Sequence, residues 1–167
     1  MGQIKLPQKS ITFFEKNYPE IFASGNLAEG KWSEKISSWC EEYTSSPYSL
    51  AFNSNGSGLL TILRLLKRYR NKKTIFLQSN TMYGVKTIAL SSGLELKGFV
   101  DCSLDYLMPT AEQLKRFLND LEDPHESVFL ITHIGGWTNP DIEEISLLCE
   151  EKGIALVEDC AHSLGST

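Results

Sequence analysis

Apolar and polar positions follow two alternating periods along the chain. Short apolar runs of strand length are separated by stretches with an apolar residue every three or four positions, as in helices. The apolar runs predict five strands, over residues 48–52, 74–78, 94–101, 127–133 and 154–158. Helical spacing predicts helices over residues 32–43, 59–70, 82–92, 110–121 and a stretch after position 140. Apolar strands that alternate with helices predict an α/β fold, with a mostly parallel sheet and helices on both faces.

Several residues mark the ends of these helices. Thr110 and Gln113 form the capping-box pattern at the start of one helix. Asn139 and Pro140 match the N-cap and the first helical position of the next one. Residues 53–58 are rich in Asn, Ser and Gly, and we interpret them as a turn before the helix at position 59.

Composition narrows the class of protein. The 167 residues carry a net charge of −5, which gives no basic footprint for nucleic acid. Apolar runs stay well short of the ~18 residues of a membrane span, and no signal peptide is expected, so we predict a cytoplasmic protein. The four cysteines form no CxxC pair and the three histidines have no ligand spacing, so we predict no metal site.

Ligands of parallel sheets bind beyond the carboxyl ends of the strands, which directs attention to four loops. In the first, Gly56 and Ser57 follow a predicted strand and precede a helix. Free backbone N–H groups at a helix start, beside a hydroxyl, favour an anion such as phosphate. A tight turn with an N-cap is the alternative. A dinucleotide fingerprint fails, because Thr61 stands where the third glycine is needed.

The last predicted strand ends in a carboxylate, Asp159. A carboxylate at the end of an apolar strand is desolvated and needs a cation or strong donors. A protonated pyridine nitrogen, as in pyridoxal 5'-phosphate (PLP), is one such partner, and a helix cap or a surface ion pair is the alternative. His162 lies three residues further on, where it can donate to a ring oxygen or stand as an exposed turn residue.

Five motifs together resemble one family. NGSGLL, SNTMYG, GFVDC, THIGG and VEDCAHSLGS occur in this order, and the last is the most specific. Over residues 25–167 the chain resembles the DegT/DnrJ/EryC1/StrS family of PLP-dependent aminotransferases. The resemblance implies the incomplete large domain of a fold-type I PLP-dependent transferase. Residues 1–45 would form an N-terminal helical segment, and residues 46–167 a partial PLP-binding domain.

The resemblance also implies roles for individual residues. Gly56 and Ser57 match the pair that binds the cofactor phosphate. Asp159 matches the partner of the pyridine nitrogen, and His162 matches a residue near the ring hydroxyl.

Two other matches are less direct. Met82 stands where the family has an aromatic ring that stacks on the pyridine. Its thioether can pack on a ring, neighbouring Tyr83 can take that role, or Met82 is only core filler. His133 and Gly136 match a His-x-x-Gly pattern, which we interpret as structural positioning rather than catalysis.

Aminotransferase chemistry also needs a lysine, which forms the Schiff base and carries the proton. In the family this lysine lies downstream of the Glu-Asp motif, but only eight residues follow Asp159 and none is Lys. Lys152 precedes the last strand, at the wrong end for the site. We therefore expect an N-terminal fragment of a longer protein or a truncated gene product. Its first strand would lack neighbours, so the isolated chain is expected to be poorly soluble or to pair this strand in a way unlike the family.

The resemblance implies that the complete enzyme transfers an amino group from an amino acid, expected to be glutamate, to a nucleotide-linked keto sugar. It also implies a homodimer and a role in polysaccharide biosynthesis. A catalytically inactive remnant or pseudoenzyme is one alternative. A nucleotide-binding αβ module, with phosphate at residues 55–58, is another, although the missing third glycine and the EDCAH ending count against it.

Overall fold

The structure, a computed structural model, describes residues 5–27 and 30–166. The chain divides into two compact units, Met1–Ala51 and Phe52–Thr167. Residues 1–4, 28, 29 and 167, which belong to the two predicted segments, lie outside the described residues. None of the described helices is both long enough and apolar enough to cross a membrane.

The N-terminal unit contains two helices, α1 (Gln8–Ser24) and α2 (Lys31–Thr44). The second confirms the helix predicted over residues 32–43. Side chains four positions apart lie on the same face of a helix. Accordingly, the rings of Trp39 and Tyr43 stack with their centroids 4.9 Å apart.

The strand predicted over residues 48–52 is wrong, since the structure has no strand there. Tyr48 and Leu50 are 85% and 73% exposed. A strand persists only where its backbone N–H and C=O groups find a neighbouring strand. The described strand pairs do not include these residues. Residues 48–52 therefore have the alternating sequence of a strand but lack the neighbouring strand that would stabilise one.

The C-terminal unit alternates helices and strands. Its elements are α3 (Asn55–Tyr69), β1 (Thr74–Gln78), α4 (Tyr83–Ser91), β2 (Glu95–Val100), α5 (Ala111–Asn119), β3 (Ser127–Thr132), α6 (Ile142–Glu151) and β4 (Ala155–Asp159). The strands form one sheet in the order β2-β1-β3-β4, and every neighbouring pair is parallel. The predicted α/β fold is confirmed.

Apolar side chains cover both faces of this sheet. Successive residues of a strand point to opposite faces. Ile75 and Leu77 therefore pack in a core with α3 and α4, whereas Phe76 packs in a second core with α5 and α6. There Phe76 stacks on Phe129, with ring centroids 4.8 Å apart. Burying each such side chain contributes about 1.5–3 kcal/mol, which explains why the interiors of the two central strands, β1 and β3, are apolar.

Capping decides where the helices begin. The capping box of Thr110 and Gln113 is present, as predicted. Helix α3 begins at Asn55 rather than at residue 59, because the Ser54 side chain accepts a hydrogen bond from the Ser57 N–H and caps it. The prediction that residues 53–58 form a turn is therefore wrong for residues 55–58.

The start of α6 also differs from the prediction. Asp141 rather than Asn139 is the N-cap residue. The Asn139 Oδ1 instead accepts a hydrogen bond from the Asp141 N–H at 2.8 Å, which closes a turn two residues ahead of the helix.

Candidate functional site

A cavity of about 510 Å³ opens beyond the carboxyl ends of β1, β3 and β4. The start of α3, the loop after β1, the first turns of α4 and the segment after β4 contribute to its wall. The lining residues are Ser54, Asn55, Gly56, Asn80, Thr81, Met82, Gly84, Val85, Ile88, Thr132, Ile134, Asp159, Ala161 and His162. This is the position that the parallel topology predicts for a ligand.

Asp159 is the only acidic residue among those lining residues. It ends β4 and is 4% exposed. Its Oδ1 accepts hydrogen bonds from the Asn55 Nδ2 and the Ala161 N–H, each at 3.1 Å. No described residue donates to its Oδ2, and no described Lys or Arg forms an ion pair with it. A buried carboxylate with one unpartnered oxygen favours a ligand that donates a hydrogen bond or carries positive charge.

The start of α3 forms another part of the cavity wall. The first N–H groups of a helix have no acceptor within the helix and carry the positive end of its dipole. The Ser54 Oγ accepts a hydrogen bond from the Ser57 N–H at 3.2 Å. Gly56 lines the cavity and Ser57 does not. The Ser57 hydroxyl lies 3.0 Å from the Ser54 Oγ, within hydrogen-bond distance.

Gly56 also allows a close approach between two helices. A Cβ atom at this position would lie 3.2 Å from the Ile88 Cδ1 of α4. The missing side chain therefore keeps α3 near α4 and leaves the cavity open at the helix start.

The loop after β1 supplies a mixed wall. The Thr81 Oγ1 and the Thr132 Oγ1 are hydrogen-bonded at 3.1 Å, which joins this loop to the end of β3. Met82 lines the cavity, but Tyr83 does not and is 82% exposed. Of these two residues, Met82 is therefore the one that borders the cavity.

His162 lines the cavity from the segment after β4. It is exposed, and none of the described residues forms a hydrogen bond with its ring. Its two nitrogens therefore stay available to a ligand. Of the five candidates from the sequence, Gly56, Met82, Asp159 and His162 line this cavity, and Ser57 does not.

His133 lies outside the cavity wall, buried beside Glu158. Its Nε2 lies 2.9 Å from the Glu158 Oε2, and its Nδ1 accepts a hydrogen bond from the Asn139 N–H at 3.0 Å. A nitrogen that accepts from an amide carries no hydrogen, so the hydrogen of the neutral ring lies on Nε2. His133 thereby joins the end of β3 to β4 and to the loop before α6.

Apart from the Asn139 amide, the surroundings of His133 raise the pKa of its imidazole to about 9, because its contacts with Cys160 and then Glu158 outweigh the opposing effect of burial. The Asn139 amide opposes this rise, because protonation of Nδ1 would break that hydrogen bond and set two N–H groups against each other. We therefore assign the neutral ring at neutral pH.

The same tautomer bears on metal binding. Ligand atoms of His133, Glu158 and Cys160 lie within 4.8 Å of one another, which resembles a metal site. To bind a metal ion, Nε2 would have to lose this hydrogen, and the neutral ring could then carry it only on Nδ1, which faces the Asn139 N–H. We accordingly assign this cluster a structural role.

Asn55 is the main residue of the site that the sequence did not single out. It lies in a motif of small residues, where Gly56 and Ser57 drew attention as the phosphate-binding pair. Its partner Asp159 is 104 residues away in the sequence, so no local pattern connects them. The place of Asn55 in that motif was the available signal in the sequence.

Comparison with protein-family models matches residues 9–167 to the DegT/DnrJ/EryC1/StrS aminotransferase family. Solved structures agree in fold. NtdA from Bacillus subtilis, solved with bound cofactor PMP, is similar with a TM-score of 0.81 and 16% identity, over 97% of this chain and 36% of that one.

Two further solved structures are similar. Helicobacter pylori PseC, an aminotransferase of pseudoaminic acid biosynthesis, has a TM-score of 0.77 and 21% identity over 92% of this chain and 40% of its own. A GDP-4-keto-6-deoxymannose-3-dehydratase, solved with a trapped PLP-glutamate geminal diamine, has a TM-score of 0.73 and 22% identity, over 90% and 40%. The present chain thus spans well under half the length of these proteins.

Proposed function

This chain belongs to the DegT/DnrJ/EryC1/StrS aminotransferase family, and from that premise we propose that its cavity binds PLP. In the complete protein, we propose, an amino group passes from an amino acid to a keto sugar carried on a nucleotide. The main support for this proposal is the environment of Asp159. This buried carboxylate has one oxygen to which no described residue donates a hydrogen bond, and it lines a cavity that also includes the start of a helix.

The residues around the cavity fit this cofactor in charge and in size. Small-molecule cavities commonly measure about 300–1,000 Å³, and this one measures about 510 Å³. The start of α3 favours a phosphate, and the absence of a side chain at Gly56 lets it come close. Met82 offers a polarizable thioether to the face of a ring. Asp159 favours a protonated ring nitrogen.

When bound, PLP supplies an electron sink that stabilises negative charge on the substrate carbon. Asp159 strengthens that sink, because its carboxylate holds the proton on the ring nitrogen. The amide of Asn55 and the N–H of Ala161 donate hydrogen bonds to the other carboxylate oxygen and hold the carboxylate in place. His162 is placed to donate a hydrogen bond to the ring hydroxyl oxygen.

No lysine is among the residues described around the cavity. We therefore propose that a lysine from another part of the complete protein transfers the proton at the substrate carbon. The homodimer, the inactive remnant and the cytoplasmic location implied by the sequence stay predictions.

Binding of pyridoxamine phosphate (PMP) tests the proposal, because this form of the cofactor needs no lysine. Titration calorimetry would compare the wild-type chain with Asp159→Asn, which keeps the shape but removes the charge. We expect affinity to fall about 10–100-fold, the effect of a charge-assisted hydrogen bond. Asp105→Asn is the matched control, since Asp105 is exposed and away from the cavity. Absence of binding by the wild-type chain, or equal affinities for both, would refute the proposal.

A further inference from the structure

Asn55 joins two elements of the cavity wall. It is the first residue of α3, and its side chain reaches the last residue of β4, where the Nδ2 donates to the Asp159 Oδ1 at 3.1 Å. The orientation of the amide is determined by chemistry, because an ionised carboxylate only accepts hydrogen bonds and so must face the NH₂ group.

The hydrogen bonds of Asp159 are unevenly distributed between its two oxygens. Oδ1 receives both described donors, the Asn55 side chain and the Ala161 backbone, whereas Oδ2 receives none from the described residues. The final torsion of an aspartate is soft and nearly two-fold, so a single donor would allow the oxygens to exchange. Two donors from different elements hold Oδ1 and leave Oδ2 to the cavity.

We propose that Asn55 is a positioning residue, which holds the Asp159 carboxylate so that Oδ2 meets the protonated ring nitrogen of the cofactor. The inference rests on the proposed function and adds to it a residue that acts through Asp159. It also links the start of α3, where the phosphate is proposed to bind, to the carboxylate at the other end of the ring. A shift of α3 would then weaken both contacts together.

The test compares PMP affinity in Asn55→Ala, Asn55→Asp and the control Asn53→Ala. Asn53 is exposed and its side chain forms no hydrogen bond with a described residue. Asn55→Ala should weaken binding about 3–10-fold, as expected for one partly solvated hydrogen bond to a charge. Asn55→Asp should weaken it more, because two carboxylates would face each other. An acidic residue stabilises a helix start, so this variant keeps α3 folded.

A double-mutant cycle separates positioning from direct contact. If Asn55 acts through Asp159, then Asn55→Ala should change affinity less than about twofold in the Asp159→Asn background. An undiminished effect in that background would overturn the inference, as would unchanged affinity in Asn55→Ala. In both cases, PMP binding by the wild-type chain would still support the proposed cofactor site.

A measurement without cofactor completes the test. The Ala161 amide shares the Asp159 Oδ1 with Asn55, so its nuclear magnetic resonance signal should move in Asn55→Ala and stay in Asn53→Ala. An unmoved Ala161 signal would overturn the inference. If the wild-type chain binds no PMP at all, the proposed function fails and the inference falls with it.

Discussion

Two pairs of hydroxyl side chains join the β1 region to β3, one at each end of the parallel sheet. At the amino end, the Thr74 Oγ1 and the Ser127 Oγ lie 2.7 Å apart and both residues are buried. At the carboxyl end, the Thr81 Oγ1 and the Thr132 Oγ1 lie 3.1 Å apart, and both residues line the cavity. The same kind of hydroxyl pair is thus buried at one end of the sheet and borders the cavity at the other.

Charged groups follow the same division. At the amino end, the Lys72 Nζ donates to the carbonyl oxygens of His125 and Gly153, at 2.5 and 2.6 Å, which ties together the segments before β3 and β4. At the carboxyl end, Asp159 keeps an oxygen without a described donor. Polar groups that satisfy one another stabilise a fold, whereas a group left unsatisfied at a cavity is available to a ligand.

The largest expected contrast concerns the reactivity of two cysteines. Cys149, near the amino end of β4, is buried, and this burial raises the pKa of its thiol to about 12. Cys160 follows β4 at the carboxyl end and is exposed. Because the thiolate is the reactive form, a thiol reagent at pH 8 should label Cys160 at least about a thousandfold faster. Peptide mass spectrometry would measure both rates, and similar rates would contradict the contrast between the two ends.

A second prediction concerns the hydroxyl pair at the amino end. Thr74→Val keeps the shape but leaves the buried Ser127 hydroxyl without a partner. The free energy of unfolding should fall by about 1–3 kcal/mol. The double variant Thr74→Val with Ser127→Ala should recover most of that loss. Urea denaturation would measure it, and a single variant as stable as wild type would show that this pair contributes little.

The smallest effect is expected for the matched change at the carboxyl end. Thr132→Val removes the hydroxyl that pairs with Thr81. Because Thr81 is only partly buried and borders the cavity, water can replace the lost partner. The free energy of unfolding should fall by less than about 1 kcal/mol. A loss as large as that of Thr74→Val would show that both ends serve stability alike.

Local sequence patterns predicted most of the helices and strands, because these elements depend on residues close together in the chain. The capping box at Thr110, the apolar strands and the helical stripes each depend on neighbours within one or two turns. Asp159 stood out for a similar reason, as a charge that ends an apolar run. Two helix starts were predicted wrongly, because the same local residues could also form a different cap or turn. Ser54 capped α3 ahead of the predicted start, and Asn139 closed a turn instead of a helix.

The sequence by itself determined the α/β fold, the family and four residues of the cavity wall, because periodicity and motif order are properties of the linear chain. The tertiary structure alone decided that residues 48–52 form no strand, since pairing requires a distant partner. It also decided that Asn55 meets Asp159 and that His133 meets Glu158. These hydrogen bonds join residues far apart in sequence, and only the packing of α3, β3 and β4 brings their atoms within reach.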